Sequence, residues 1–265
     1  MLFQIVIVAA ILACLFVIKQ WLSSRKQTLD KKHVVITGGS SGIGKSVAIE
    51  VARMGANVTL IARDVQKLES AKLEVTKNCL NPDHQIVQYI SLDVGDNYDA
   101  VEKALHAAED DMGPIYLLVN CAGMAICGRL EDTSVSDIKC KPYNVSVTLA
   151  LPPDTDTPGF ANEEKTKPLE TRLISQSAGL LSPQVVAKQL IKDTMDGNFY
   201  STVGFESFLL KILCAGMAPV SSLSEFILQV MLMGLFRAIC VGYLISFHRI
   251  IRNCMKTRDK TKKSE

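Results

Sequence analysis

The chain has no strong charge of either sign. Twenty-nine Lys and Arg stand against 27 Asp and Glu, a formal net charge of +2, so there is no field to hold nucleic acid. Histidine is scarce, with four in all, and the eight cysteines form no Cys-x-x-Cys pair. The common zinc frameworks are thereby excluded, and no metal site is expected. Cys14, Cys79, Cys121, Cys127, Cys140, Cys214, Cys240 and Cys254 read as reduced thiols in a cytosol-facing protein. Of these, Cys14, Cys214 and Cys240 sit in apolar runs, where they are expected as small buried hydrophobes. No basic residue precedes the first apolar run, residues 2–18. A cleaved signal peptide wants a positive charge there.

That run is just long enough to span a bilayer, and Trp21 follows where an interfacial anchor belongs. Basic residues come after it: Arg25, Lys26, Lys31 and Lys32. A second basic cluster, Arg249, Arg252, Lys256, Arg258, Lys260, Lys262 and Lys263, closes the chain behind another apolar stretch. Both clusters are placed as cytoplasmic membrane flanks are. The hydrophobic share of 48% fits one large domain with membrane-associated appendages. The expected division is a membrane anchor over 1–22, a basic linker over 23–32, and a nucleotide-binding domain over 33–200. An apolar membrane-associated helical region over 201–255 and a basic tail over 256–265 follow. Within the apolar region, 226–247 is long enough to cross a bilayer. Arg237 near its middle costs about 2.5–3.5 kcal/mol on insertion scales. A surface helix, or a helix pair dipping into one leaflet, fits that arginine better than a clean span.

Between the appendages the pattern is regular. Apolar strands are expected at 33–37, 57–62, 85–92 and 115–120, with helices over 44–54, 64–78 and 97–111. Strands that are apolar on both faces, alternating with helices, predict a parallel sheet wound on both sides, a Rossmann-type α/β fold. After Gly123 the rhythm fails. Residues 129–139 could begin a helix, and 145–151 read as a strand ending in Pro152-Pro153. The link between these last two strands is short for a parallel crossover. Residues 154–182 read as a loop, and 183–196 as a helix opened by Pro183.

Thr37-Gly38-Gly39-Ser40-Ser41-Gly42-Ile43-Gly44 follows the first strand and opens the first helix. In that context it predicts a dinucleotide cradle, with backbone N–H groups of the helix N-terminus meeting a pyrophosphate. Arg63, at the end of the second strand, suits a 2′-phosphate, where an NAD site usually places an acid. Lys67 could add a second cation there, and Asp64 intervenes. The pattern predicts NADP(H). Asp93-Val94 is placed for an adenine amino group, and Asn120-Cys121-Ala122-Gly123 lies at the carboxyl edge of the sheet, where ligands bind.

The Tyr-x-x-x-Lys pair that such a cradle usually serves is missing. None of the six tyrosines, Tyr89, Tyr98, Tyr116, Tyr143, Tyr200 and Tyr243, has lysine four residues on.

The cradle, Arg63, Asp93 and Asn120–Gly123 resemble the short-chain dehydrogenase/reductase family. Within it, the segments Leu151–Phe160 and Thr166–Ser175 are similar to the membrane-held reductases of 3-ketosphinganine. The resemblance implies NADPH-dependent reduction of a long-chain keto-lipid, 3-ketosphinganine to sphinganine, on the cytosolic face of the endoplasmic reticulum membrane. It assigns Thr157 to the nicotinamide side. It also implies a serine, a tyrosine, a lysine and an asparagine for catalysis, all of them in a stretch between the fourth strand and the Pro-Pro strand. Here Lys139 runs straight into Cys140-Lys141-Pro142. At least one βαβ-sized stretch, about 30 residues or more, is absent near 139/140, so no catalytic residue carries over. Lys139 with Tyr143, and Ser134 or Ser136, are poor substitutes, because Pro142 breaks any shared helix. A chain built this way is expected to be impaired, folding poorly or forming an open cofactor-binding half. It could also act as a homo-oligomer or pair with a full-length reductase.

Overall fold

The computed structural model describes residues 28–95, 97–123, 146–215 and 220–264. The predicted anchor over 1–22, the junction near 139/140, and Ser134, Ser136, Lys139 and Tyr143 lie outside the described residues.

Four strands, β1 (His33–Thr37), β2 (Asn57–Ala62), β3 (Val87–Ser91) and β4 (Ile115–Asn120), form one sheet in the order β3-β2-β1-β4. All pairings are parallel, with Val34 beside Val58 and Ile36 beside Val119. Helices α1 (Gly42–Arg53), α2 (Val65–Lys77) and α3 (Tyr98–Met112) connect them. This is the expected Rossmann-like arrangement. Strand β1 is buried from end to end, as a central parallel strand must be.

One face of the sheet is densely covered. Val34, Ile36, Val58 and Leu60 pack against Val47, Val51, Leu68 and Val75 of α1 and α2, and against Leu190 and Ile191 of α6 (Pro183–Met195). The opposite face is covered unevenly. Val35 and Ile61 are buried there, but Tyr116 and Leu118 on β4 are 47% and 44% exposed. Helix α3 adds little, since Ala108 is its one fully buried residue. Among the described residues, the expected two-sided winding is therefore dense on one side and thinner beside β4. Alternation along β4, half-buried then exposed, is the signature of a strand with one wet face.

A separate parallel pair, β5 (Leu149–Leu151) and β6 (Tyr200–Thr202), lies outside the main sheet. Strand β5 is shorter than the 145–151 expected, and β6 carries Ser201 and Thr202 across the predicted boundary at 200. The stretch 154–182, read as a loop, holds two helices, α4 (Pro158–Thr166) and α5 (Leu169–Ala178). Helix α4 lacks a strong apolar stripe. What fixes α4 is its start: Thr157 accepts a hydrogen bond from Phe160 N at 3.1 Å, with Pro158 in the first turn. The α4–α5 joint is held by Lys167. Its ammonium lies 3.2 Å from Glu164, 3.4 Å from Glu163 and 4.0 Å from Asp154, and 4.8 Å over the Phe160 ring. Burial pulls the Lys167 pKa down, but Glu164, Asp154 and Glu163 outweigh it and hold it above the ordinary lysine value.

The C-terminal region is a helix pair. Helix α7 (Gly204–Leu213) rests on the 42-residue α8 (Leu223–Ser264) through Leu209, Ile212 and Phe236. The Lys211 ammonium meets the buried Glu225 carboxylate at 2.9 Å beside their joint. The span Leu223–Lys256 of α8 is long and apolar enough to cross a membrane: an 18-residue stretch within it has mean hydropathy 2.0, and little of that stretch is covered by the rest of the chain. The predicted basic tail continues this helix. Cys214, expected to be buried, is exposed; it caps the end of α7, turned out of the Leu209–Ile212–Phe236 contact.

Candidate cofactor-binding site

The cradle is built from glycines that nothing else can replace. Gly38 has φ +68°, and its N–H donates to Ile61 O at 2.8 Å. A Cβ there would sit 2.7 Å from Cys121 O and 2.8 Å from Ala122 N. At Gly44 a Cβ would strike the Gly38 carbonyl. Ser41 precedes α1 in extended conformation, and its hydroxyl caps nothing. The first N–H groups of α1 are therefore left for a ligand, at the positive end of the helix.

Thr37 ties this loop to β4. Its hydroxyl accepts from Ala122 N at 3.2 Å and donates to Asn120 Oδ1 at 3.5 Å. The ends of β1 and β4 are thereby joined where the sheet order reverses, which is the expected place for a nucleotide. The sequence motif placed Thr37 at the head of the cradle but gave its hydroxyl no role of its own.

A cleft of about 630 Å³ opens here. Of the predicted residues, Gly38, Ser40, Ser41, Ile43, Gly44, Arg63, Lys67, Asp93, Val94, Ala122, Gly123 and Thr157 line it. Gly39, Gly42 and Asn120 do not. A Cβ at Gly39 would press on the Leu60 side chain at 2.9 Å, and one at Gly42, where φ is +57°, would lie 3.2 Å from Thr157 Cγ2. These two glycines let the loop close against its neighbours. Sequence reasoning missed Ile61, Ala62, Leu92, Gly95, Pro158 and Gly159 on the wall. The last two come from α4, whose formation was not foreseen.

At one end of the cleft stand four charges. Arg63 Nη1 lies 3.5 Å from Asp93 Oδ2, and Lys67 Nζ lies 3.1 Å from Asp64 Oδ2. Asp64 Oδ1 also accepts Lys67 N at 3.1 Å, capping α2. The backbone hydrogen bond from Lys67, followed by its side chain, holds the Asp64 carboxyl below its ordinary pKa. At the other end, burial pushes the Cys121 thiol up to about 11, so it is protonated and unreactive at neutral pH. No tyrosine lines the cleft among the described residues, and its one lysine, Lys67, belongs to the charged end. Nor do the described residues offer a group of metal ligands.

Residues 32–151 match the family model for short-chain dehydrogenases. The 3-ketodihydrosphingosine reductase of Bos taurus is 39% identical, with 95% of each chain covered. The chain belongs to the short-chain dehydrogenase family. The 3-dehydrosphinganine reductase of Danio rerio is 38% identical, with 97% of each chain covered. The crystal structure of YwfH, an NADPH-dependent reductase involved in bacilysin biosynthesis, matches the fold alone. Its TM-score is 0.51 at 13% identity, covering 62% of this chain and 91% of that one.

The bovine match carries a second finding. It runs over 315 aligned positions, whereas 95% of 265 residues is about 252. About 63 aligned positions therefore have no residue in this member of the family. That is about the size of two βαβ units at roughly 30 residues each.

Proposed function

We propose that the fold serves the NADPH-dependent reduction of 3-ketosphinganine to sphinganine in sphingolipid synthesis, and that this chain keeps the cofactor half of that machinery without its proton donor. The single observation that carries the reading is the pairing of a finished glycine cradle with a cleft that no tyrosine lines among the described residues. The cradle fits a dinucleotide: the space any Cβ would fill at Gly38 and Gly44 is taken by neighbouring backbone, and the α1 N-terminus is uncapped.

When bound, NADPH supplies the hydride. The protein's part begins with the α1 N–H groups, from Ser41 to Gly44, which hold the pyrophosphate. Ser40 and Ile43 line the same bend. Arg63, with Lys67, takes the 2′-phosphate. Asp93 and Val94 receive the adenine. Asn120, through Thr37, keeps Ala122 and Gly123 in place on the nicotinamide side, opposite Thr157. The missing positions fall near 139/140 and take the catalytic serine, tyrosine, lysine and asparagine with them. Loss of general acid catalysis alone costs about 10²–10⁴ in rate.

The membrane reading rests on α8. Its apolar length and the Arg249, Arg252 and Lys256 cluster near its end suit an endoplasmic reticulum membrane, with the nucleotide domain on the cytosolic side. The exposed apolar residues of β4 favour a second reading. In it the chain is a membrane-bound, NADPH-binding form without activity that associates with a full-length reductase through this flank.

Purified full chain, titrated with NADPH and then given 3-ketosphinganine, tests the proposal. Fluorescence quenching without turnover is the expected result. Turnover at ordinary enzymatic rates would overturn the loss of the proton donor, and absence of NADPH binding would overturn the cofactor half.

A further inference from the structure

Helix α4 borders the cleft without joining the core. It supplies Pro158 and Gly159 to the wall, yet none of its residues belongs to an apolar cluster among the described residues. Its two ends therefore decide where it lies. At the start, the Thr157 hydroxyl caps α4 by accepting from Phe160 N at 3.1 Å. The Thr157 methyl group packs against Gly42, where a Cβ would come within 3.2 Å of it. Thr157 thus joins the helix to the cradle on the wall of the cleft. At the far end stands Lys167, whose side chain is 6% exposed. Its ammonium reaches back toward the start. It lies 4.8 Å over the ring of Phe160, the residue whose N–H Thr157 receives, and 4.0 Å from Asp154, just before Thr157 in the chain. It also donates to Ser175 Oγ at 3.1 Å, and that hydroxyl donates to Asp154 Oδ2. Without the ammonium, Asp154 on one side and Glu163 and Glu164 on the other face one another as like charges, which drives α4 away from the Asp154 turn.

We propose that Lys167 is a positioning residue for the nicotinamide end of the cleft: by binding Asp154 and covering Phe160 it holds Thr157 against Gly42 in advance of the cofactor. Binding then does not have to order this wall. The inference rests on the cofactor reading given above, and it concerns one end of the cleft. The partners of Lys167 are Asp154, Glu163, Glu164, Ser175 and Phe160. None of them stands at the end marked by Arg63 and Asp93. A ligand confined to that end is therefore an internal control against general loosening of the domain.

NADPH reaches both ends. Adenosine 2′,5′-bisphosphate carries the adenine and the 2′-phosphate but no nicotinamide. Both are titrated by calorimetry into the full chain in detergent micelles. Lys167→Met weakens NADPH binding by about three- to tenfold, the scale of ordering a few side chains on binding, and leaves bisphosphate affinity unchanged. Lys167→Arg keeps the cation and retains most of the NADPH affinity. Asp154→Asn keeps an acceptor for Ser175 and loses the charge; it shifts the ratio of the two affinities in the same direction, and it decides the matter where Lys167→Met does not fold. In a Thr157→Val chain, which lacks the capping hydroxyl, adding Lys167→Met causes no further loss of NADPH affinity. Equal loss of both ligands, or loss of neither, in Lys167→Met and Asp154→Asn overturns the proposal. So does an arginine variant as weak as the methionine one, or full additivity with Thr157→Val. If the parent chain binds no NADPH, the cofactor reading fails first and takes this inference with it.

Discussion

Replacing Gly38 by alanine tests the cradle at its tightest point. The residue stands at φ +68°, a region that costs an ordinary L-residue about 1–2 kcal/mol. Space is the second difficulty. The new methyl would lie 2.7 Å from Cys121 O and 2.8 Å from Ala122 N. Both are backbone atoms at the end of β4, held by Cys121 N donating to Thr37 O and Ala122 N donating to the Thr37 hydroxyl, each at 3.2 Å. They cannot turn aside as a flexible side chain would. Either the loop or the strand end must move by several tenths of an ångström, at a further cost of about 1–3 kcal/mol. The total, about 2–5 kcal/mol, lowers the melting temperature by roughly 4–15 °C for a chain of this size. It also turns the α1 N–H groups off the pyrophosphate, and NADPH affinity falls by at least about tenfold. Gly123→Ala is the control: it lines the same cleft, and a Cβ there meets nothing within 4 Å. Thermal unfolding and NADPH titration of both variants decide the matter. A Gly38→Ala protein as stable and as tight-binding as Gly123→Ala would refute the packing argument.

Arg63→Glu exchanges a charge-assisted contact for repulsion and weakens NADPH binding by about 10- to 100-fold, with little change for NADH; equal losses by fluorescence titration would remove the 2′-phosphate assignment. Lys167→Met leaves Asp154, Glu163 and Glu164 facing one another without their shared cation, which lowers stability by about 1–3 kcal/mol after allowing for their partial exposure. Because the Lys167 pKa is raised on folding, its contribution is whole below about 10.5 and is lost as pH climbs through the folded value; a parent-minus-variant stability difference that vanished near pH 8 would contradict this. Alkylation of Cys121, followed by mass spectrometry, rises about tenfold per pH unit toward its pKa of about 11, and a plateau before pH 9 would show the thiol to be less buried than described. Insertion at 139/140 of the segment the bovine relative has in excess restores keto-lipid turnover; a soluble insert-bearing chain that binds NADPH and stays inactive would place the deficit elsewhere.

The parts legible in the sequence were those in which local pattern and tertiary role agree. Continuous apolar runs such as Val34-Val35-Ile36 mark buried parallel strands, and the cradle's glycines mark a turn no other residue can make. Helix α4 was not legible because it has no apolar stripe to announce it, and α5 because its short apolar pattern lies in a stretch rich in proline, threonine and charge. Their order comes from Thr157 at one end and from the Lys167 ion pairs, contacts between residues whose proximity exists only once the chain has folded. Strand β5 was foreseen too long, since apolar residues before Leu149 look the same whether or not a partner strand receives them. In the site, Arg63 and Lys67 were identifiable by type and position. That each already has a carboxylate partner follows from side-chain geometry, which spacing alone does not report.

Tyr116 and Leu118 on β4 carry a consequence beyond the site. Leu118 and Tyr116, the latter under the Lys32 ammonium at 5.1 Å, leave apolar surface on one face of β4 partly exposed, and a cell surveys such surfaces continuously through its chaperones and proteases. The steady amount of this polypeptide is therefore sensitive to that face, and a polar replacement there, Leu118→Thr, lengthens its lifetime without touching the nucleotide.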